Sequence, residues 1–185
     1  MTSRLSSLLV QDGLVSAKRM ADAFQRQVIY GGTLDTNLLE MRVVEEDTLL
    51  NYLGRAAALP TQPAGIAAMG KPSAGVLAVF NQEVAEKFRA VPGQNSDGVL
   101  KVLVADPVEP QDLEALAQTV KQRIEPWIGH EFRLVEALEV IYGVAMPTRF
   151  QRLCQRSKQA HEGKGLPPPR LIDPLPRFGA LTLHR

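Results

Sequence analysis

Two stretches near the start of the chain, RLSSLLVQDGLVSAKRMADAFQRQ (residues 4–27) and TLDTNLLEMRVVEEDTLLNYLGRA (residues 33–56), share one pattern of apolar residues. A shift of 29 residues aligns the two stretches and sets apolar residues opposite one another. The aligned pairs are Leu5 with Leu34, Leu9 with Leu38, Val10 with Leu39, Leu14 with Val43, Val15 with Val44, Met20 with Leu49, and Phe24 with Leu53. Repeats this short cannot bury their apolar faces alone, so we expect the two copies to pack on each other.

Each copy has the pattern of two helices joined by a break. In the first copy, Leu5 and Leu9 are at helical spacing, the break comes at Gly13, and Ser16 is placed to cap a second helix. In the second copy, a run of acids beginning at Glu45 lies where a helix would start, and the helix dipole favours negative charge there. The first sixty residues are therefore predicted to form two duplicated helix pairs.

The pattern changes after the repeat. RAVPGQNSDGVLKVLVADP (residues 89–107) predicts two strands around a turn, and VLKVLVA within it is the clearest strand pattern in the chain. EPQDLEALAQTVKQRI predicts an amphipathic helix with Ile124 on its inner side. EFRLVEA (residues 131–137) is a candidate third strand, and ALEVIYG predicts a closing helix that ends at Gly143.

These patterns predict an α+β fold. Its parts are an N-terminal helical subdomain of two duplicated helix pairs (residues 1–59), a Pro/Gly/Ala-rich linker (60–75), a small three-stranded β-α-β layer (76–146), and a basic helix followed by a Pro-rich tail (147–185). A chain of 185 residues is long enough to bury a core of this kind.

Charge and composition limit the classes of function. The formal net charge is +1, but residues 148–185 carry eight lysines and arginines against two acids, which leaves the remainder at −5. A basic tail of this kind suggests contact with an acidic membrane surface or nucleic acid, but its charges are dispersed and few aromatic residues lie between them. We therefore expect no nucleic-acid partner. With one cysteine, Cys154, no apolar run long enough to cross a bilayer and no secretory leader, we expect a cytoplasmic protein without a transmembrane segment.

No pattern in the sequence predicts a catalytic or metal site. GIAAMGKPS has the glycine and lysine spacing of a phosphate-binding loop, but Pro72 replaces the hydroxyl residue and prolines precede the loop where a strand is required. The histidines at 130, 161 and 184 are isolated and have no metal-ligand spacing. We predict that the protein is not an enzyme and holds no catalytic residue, metal or obligatory cofactor.

The polar residues of the two copies differ. Arg4 is aligned with Thr33, Ser6 with Asp35, Gly13 with Arg42, and Gln27 with Ala56. The first copy, with its arginine, glycine, aliphatic pair and glutamine, resembles a 24-residue motif found twice, with a five-residue spacer, in the N-terminal domain of the type II secretion and type IV pilus assembly ATPases. The spacer, the order of elements and the second half of the domain also agree, so the resemblance covers residues 4 to about 143.

In some members of that family this domain is a receptor for cyclic di-GMP, so the resemblance implies a possible regulatory ligand. An arginine presents two donors to guanine O6 and N7, and a glycine lets the backbone approach the ligand. The nucleotide-binding candidates that the resemblance gives are Arg4, Leu5, Leu9, Val10, Gly13, Leu14, Met20, Phe24, Gln27, Leu34, Leu38, Leu39, Val43, Leu49 and Leu53. The second copy supplies apolar matches alone, and Asp35 adds a negative charge unsuited to an anionic ligand.

Two hypotheses follow. The first is an adaptor that acts through protein–protein contacts, with a secretion, pilus or related cytoplasmic component as its partner, including one at the inner face of the membrane. The second is a cyclic di-GMP sensor that uses residues 4–27 and a degenerate second motif. Loss of one bidentate arginine–guanine contact costs about 1–3 kcal/mol, which is about ten- to a hundredfold in affinity. The loss of polar residues in the second copy favours the adaptor.

Overall fold

A computed structural model describes residues 3–171 of the chain. The first copy of the repeat forms helices α1 (Arg4–Gln11) and α2 (Ala17–Tyr30), and the second forms α3 (Leu34–Met41) and α4 (Glu46–Ala57). Ser16 caps α2 as predicted, because its side chain accepts a hydrogen bond from the Arg19 N–H. The duplicated helix pairs predicted from the apolar pattern are confirmed.

The second half of the described chain alternates helices with a sheet. Its elements are α5 (Ala74–Val79), α6 (Gln82–Phe88), β1 (Ala90–Ser96), β2 (Val99–Ala105), α7 (Pro110–Val120), β3 (Arg123–Gly129), α8 (Glu131–Tyr142) and α9 (Thr148–His161). β1 pairs antiparallel with β2 through a hairpin, and β2 pairs parallel with β3 through the crossover helix α7. The α+β prediction with a three-stranded β-α-β layer is confirmed.

The third strand is not where the sequence placed it. EFRLVEA lies in α8, and the strand is the preceding segment, Arg123–Gly129. Apolar and polar residues alternate in this segment, which is typical of a strand with one face in solvent. The prediction was wrong because Phe132, Arg133 and Leu134 are all buried, so the segment has no such face. Ile124 likewise belongs to β3, since α7 ends before it at Lys121, whose φ is +53°.

The first part of the predicted linker (60–75) is built into the sheet and the core, whereas its last residues, from Ser73 onward, are exposed. The Gln62 N–H donates to the Ile128 carbonyl at 2.8 Å, and the Ile128 N–H donates to the Pro60 carbonyl at 2.9 Å. A 3₁₀ turn follows at Gly65–Ala68, and Ile66 is buried. This segment covers the open edge of β3, which explains why its backbone is paired although its composition is typical of a linker.

One cluster of buried apolar side chains joins the repeat to the sheet. It includes Leu9 and Leu38 from the repeat, Val102 and Ile128 from the strands, and Leu153 from α9. The basic helix predicted after residue 147 is therefore part of the folded body. The start of the Pro-rich segment also reaches the body, because the Thr61 N–H donates to the Arg170 carbonyl at 2.9 Å. The prediction for residues 172–185 lies outside the described residues.

Candidate functional site

The two copies of the repeat make the same turn between their helices. The Leu14 N–H donates to the Leu9 carbonyl at 3.0 Å, and the Val43 N–H donates to the Leu38 carbonyl at 3.4 Å. Before each of these residues the chain takes a left-handed conformation, with φ of +74° in one copy and +55° in the other. A glycine holds that conformation in the first copy and Arg42 holds it in the second, where a side chain makes it strained.

More than half of the nucleotide-binding candidates lie in the core. Each is at most 4% exposed, and all belong to the same buried cluster. They are Leu5, Leu9, Met20, Leu34, Leu38, Leu39, Leu49 and Leu53. Leu39 also borders a cavity, described below. The other seven would contact a ligand only if the helices separated, and in this structure they pack the two copies together.

The remaining candidates differ in exposure, and the first copy is the more open. Val10 is 36% exposed and Leu14 is 41% exposed. Arg4 and Gly13 are also exposed. Three further candidates are half-buried: Phe24, Gln27 and Val43. The amide of Gln27 donates to the carbonyl of Gly32 at 3.1 Å, so this glutamine is already bonded within the chain.

The polar residues that open the second copy are buried in a hydrogen-bond network. The Glu131 carboxylate accepts from the Thr33 N–H at 2.8 Å, from the Thr33 hydroxyl at 2.9 Å and from the Thr36 hydroxyl at 2.6 Å. The Thr33 hydroxyl has one hydrogen, which it shares between Glu131 and one carboxylate oxygen of Asp35, and the other Asp35 oxygen accepts the Glu131 N–H at 3.2 Å. Asp35 is therefore an interior residue that binds α3 to α8, and it does not present its charge to a surface ligand.

His130 compensates the charge of Asp35. Its Nδ1 lies 3.2 Å from the Asp35 carboxylate and its Nε2 lies 3.0 Å from the Glu46 carbonyl. Both partners are hydrogen-bond acceptors, and each faces one of the two ring nitrogens of His130. Burial alone would raise the pKa of Asp35, but hydrogen bonds from His130, Thr33 and the Glu131 N–H, with the charge of His130, lower it below its ordinary value. Burial, with the negative charge of Asp35, raises the pKa of Asp106 to about 6.

Helix α9 covers the second copy through two arginines. The Arg149 guanidinium contacts the Glu40 carboxylate at 2.6 and 2.9 Å, and it also donates to the Tyr30 and Gly31 carbonyls and to the Asn37 side chain. Burial alone would raise the pKa of Glu40, but hydrogen bonds from its arginine partners lower it.

Farther along α9, Arg156 donates to the Leu39 carbonyl at 2.6 Å, at the C-terminal end of α3. Between the two arginines, Leu153 and Cys154 enter the core, and burial raises the pKa of the Cys154 thiol to about 11. Helix α9 is therefore held against the second copy by an apolar contact with an arginine on each side of it.

A cavity of about 470 Å³ lies between the α3–α4 turn and α9. Its lining combines two arginines, two glutamates and an apolar floor: Leu39, Arg42, Val44, Glu45, Glu46, Phe132, Leu153, Arg156, Ser157, Gln159 and Ala160. Of the sequence-derived candidates, Leu39 alone lines it. The α8 and α9 residues were missed because they are far from the repeat in sequence, although the spacing of Arg149, Arg152 and Arg156 marked one basic side of a helix.

Residues 3–171 contain no helix that is both long enough and apolar enough to cross a membrane.

Sequence comparisons point to one family. The model of the MshEN domain family matches residues 70–148, which are the sheet and the helices around it up to the first residue of α9. The type IV pilus assembly ATPase PilB of Myxococcus xanthus (strain DK1622) is 26% identical over 156 residues. That match covers 80% of this chain but 26% of the relative, so the chain spans about a quarter of the length of this ATPase.

Solved structures agree in fold. MshE with cdg (cyclic di-GMP) has a TM-score of 0.56 and 26% identity, over 76% of this chain and 99% of the MshE chain. The N-terminal domain of XpsE has a TM-score of 0.55 and 19% identity, over 76% of this chain and 94% of the XpsE domain. The match of residues 70–148 to the MshEN domain, the similarity to PilB and the fold shared with MshE and XpsE together support the predicted resemblance of this chain to the N-terminal domain of secretion and pilus assembly ATPases.

Proposed function

We propose that this chain is a non-catalytic adaptor of the cytoplasm that acts through protein–protein contacts. The observation that carries the proposal is the closure of the second copy: α9 lies against α3, and the polar residues of α3 are bonded to α8. A nucleotide read by both copies would have to displace these internal contacts.

The contacts that hold α9 against the second copy are at least as strong as the arginine–guanine contact that would replace them. Hydrogen bonds to charged groups contribute about 1.5–3 kcal/mol each, and Arg149 alone contacts the Glu40 carboxylate through two nitrogens. A bidentate arginine–guanine contact returns about 1–3 kcal/mol. Because each 1.4 kcal/mol or so changes affinity tenfold, displacement of α9 would weaken nucleotide binding by more than the new contact restores.

The first copy offers the surface for a partner. Val10 and Leu14 are exposed at the α1–α2 turn, and Val28, Ile29 and Tyr30 are 87%, 62% and 61% exposed at the end of α2. The two groups lie at opposite ends of the 14-residue helix α2, and each places neighbouring apolar side chains in solvent, a feature that marks protein contact sites more often than a single exposed residue does. The relation to PilB suggests a component of a pilus or secretion machine as the partner.

Site-specific photo-crosslinking in cells tests the adaptor proposal. A photoreactive amino acid at Leu14 is expected to give one defined protein adduct. The matched control is Val140, an apolar residue of α8 that is 65% exposed and far from the repeat in sequence. The same adduct from both positions, or none from position 14, would contradict a contact surface on the first copy.

The second candidate is a cyclic di-GMP sensor. It is supported by the similarity to MshE, solved with cdg, and by the exposure of Arg4 and Gly13 in the first copy. Isothermal titration distinguishes the two functions. The adaptor predicts no heat with cyclic di-GMP up to near-millimolar ligand, whereas micromolar binding that is lost on Arg4→Ala would establish the sensor.

A further inference from the structure

Three potential metal ligands from two helices meet where α9 ends. Glu46 and Asp47 lie in the first turn of α4, and His161 is the last residue of α9. One ligand atom from each lies within 4.8 Å of the others. An imidazole nitrogen with two carboxylate oxygens is a donor set suited to Zn²⁺ and similar divalent transition metals.

The orientation of His161 supports a cation between these groups. Its Nδ1 lies 2.8 Å from the Ser157 carbonyl, which accepts hydrogen bonds, so Nδ1 carries a proton. In the neutral ring, Nε2 then holds a lone pair, and this atom faces the two Asp47 carboxylate oxygens at 3.1 and 3.3 Å. Two acceptors at this distance need a positive charge between them, supplied by a proton or a metal ion. Metal-binding histidines commonly donate their other N–H to a backbone carbonyl, as His161 does.

Contacts behind the cluster fix its second carboxylate. Glu46 accepts a hydrogen bond from the Ser157 hydroxyl at 2.8 Å, and Ser157 is 2% exposed. Ser157 in turn accepts from the Arg133 guanidinium at 3.2 Å. The carboxylate is therefore held by buried neighbours on α8 and α9, and ligands held in this way meet the requirement for a fixed metal geometry.

We propose that Glu46, Asp47 and His161 bind a divalent transition-metal ion of the Zn²⁺ class, which joins the end of α9 to the start of α4. An ion that binds the folded chain would strengthen the closure of the second copy by mass action. His161 has no metal-ligand spacing in the sequence, since it and Asp47 are 114 residues apart, so sequence reasoning did not predict this site.

Zinc titration of the full chain tests the proposal, with calorimetry for affinity and amide hydrogen exchange for α9. We expect one Zn²⁺ per chain and slower exchange in residues 148–161 when zinc is bound. Glu46→Gln and Asp47→Asn each keep a hydrogen-bond acceptor for the neighbouring group but remove the charge, so each is expected to fold and to bind zinc at least about tenfold more weakly.

His184→Gln is the control, because His184 is not one of the three proposed ligands, and the variant is expected to bind zinc as the wild type does. Loss of binding in His184→Gln with retention in Asp47→Asn would assign zinc to the tail and overturn the proposal. Absence of zinc binding in the wild type would overturn it as well, and would leave His161 and Asp47 as an ion pair.

Discussion

The two helix pairs have the same backbone and apolar core but opposite surroundings. In the first pair, the α1–α2 turn faces solvent, and Val10 is 36% exposed. In the second, α8 and α9 pack against the equivalent turn, and Leu39, which is aligned with Val10, is 3% exposed. The same apolar pattern is therefore buried at this position in the second copy and partly exposed to solvent in the first.

The polar positions explain the difference. Ser6 and the aligned Asp35 are both buried, yet Ser6 bonds to Ser3 within its own helix turn, whereas Asp35 bonds to His130 and Glu131 from distant elements. The second copy thus uses its polar residues to attach the rest of the domain. Substitutions in the second copy are therefore expected to lower the free energy of unfolding more than substitutions at the aligned positions of the first copy.

The largest effect is expected from Asp35→Asn. The substitution removes the buried carboxylate charge that faces the His130 ring and accepts the Glu131 N–H, and removal of one partner of a buried pair costs about 3–5 kcal/mol. Urea denaturation at neutral pH measures the loss. Ser6→Ala at the aligned position removes one local hydrogen bond and is expected to cost about 1 kcal/mol.

The same carboxylate makes stability sensitive to acid. Its pKa is lower in the folded chain than in the unfolded chain, so its stabilising contribution is complete above the unfolded value of about 4 and is lost as pH falls through the lower folded value. The stability of Asp35→Asn should therefore fall less steeply than that of the wild type below about pH 4. Parallel acid curves for the two proteins would show that Asp35 has no such role.

The apolar residues at the two turns should also differ. Leu39→Ala removes buried apolar contacts and enlarges the cavity beside α9, so it is expected to cost about 2–5 kcal/mol in unfolding free energy. Val10→Ala at the aligned position, and Leu14→Ala as the same substitution at an exposed leucine, are each expected to cost less than about 1 kcal/mol. Equal losses at Leu39 and Leu14 would contradict the described closure.

Sequence reasoning identified the structural features that depend on residues close together in the chain. The helices of the repeat and the β1–β2 hairpin follow from periodicity and turn residues, and both are confirmed. The attachments of the second copy did not follow, because Arg149 and Glu40 are 109 residues apart and Glu131 lies 98 residues from Thr33. A basic helix and a short polar turn each have many possible partners, and packing in three dimensions selects among them.

Arg149→Ala tests the closing helix directly. It removes an ion pair with Glu40 and bonds to the α2–α3 turn, so we expect a loss of about 1–3 kcal/mol and faster amide exchange in residues 148–161. Arg152→Ala, an exposed arginine on the same helix, is the control and should change stability by less than about 0.5 kcal/mol. Equal exchange in the two variants would argue that apolar contacts alone hold α9.

The smallest expected effect concerns the left-handed residue in each turn. Gly13→Ala meets no atom within 4 Å, so its cost of about 1 kcal/mol would come from backbone strain alone. Arg42→Gly relieves the same strain in the second copy, but it makes the unfolded chain more flexible, so we expect a gain of no more than about 0.5 kcal/mol. Thermal denaturation of the two variants measures both changes in stability. A clear loss on Arg42→Gly would mean that the arginine side chain, which lines the cavity beside α9, contributes more to the closed second copy than its backbone conformation costs.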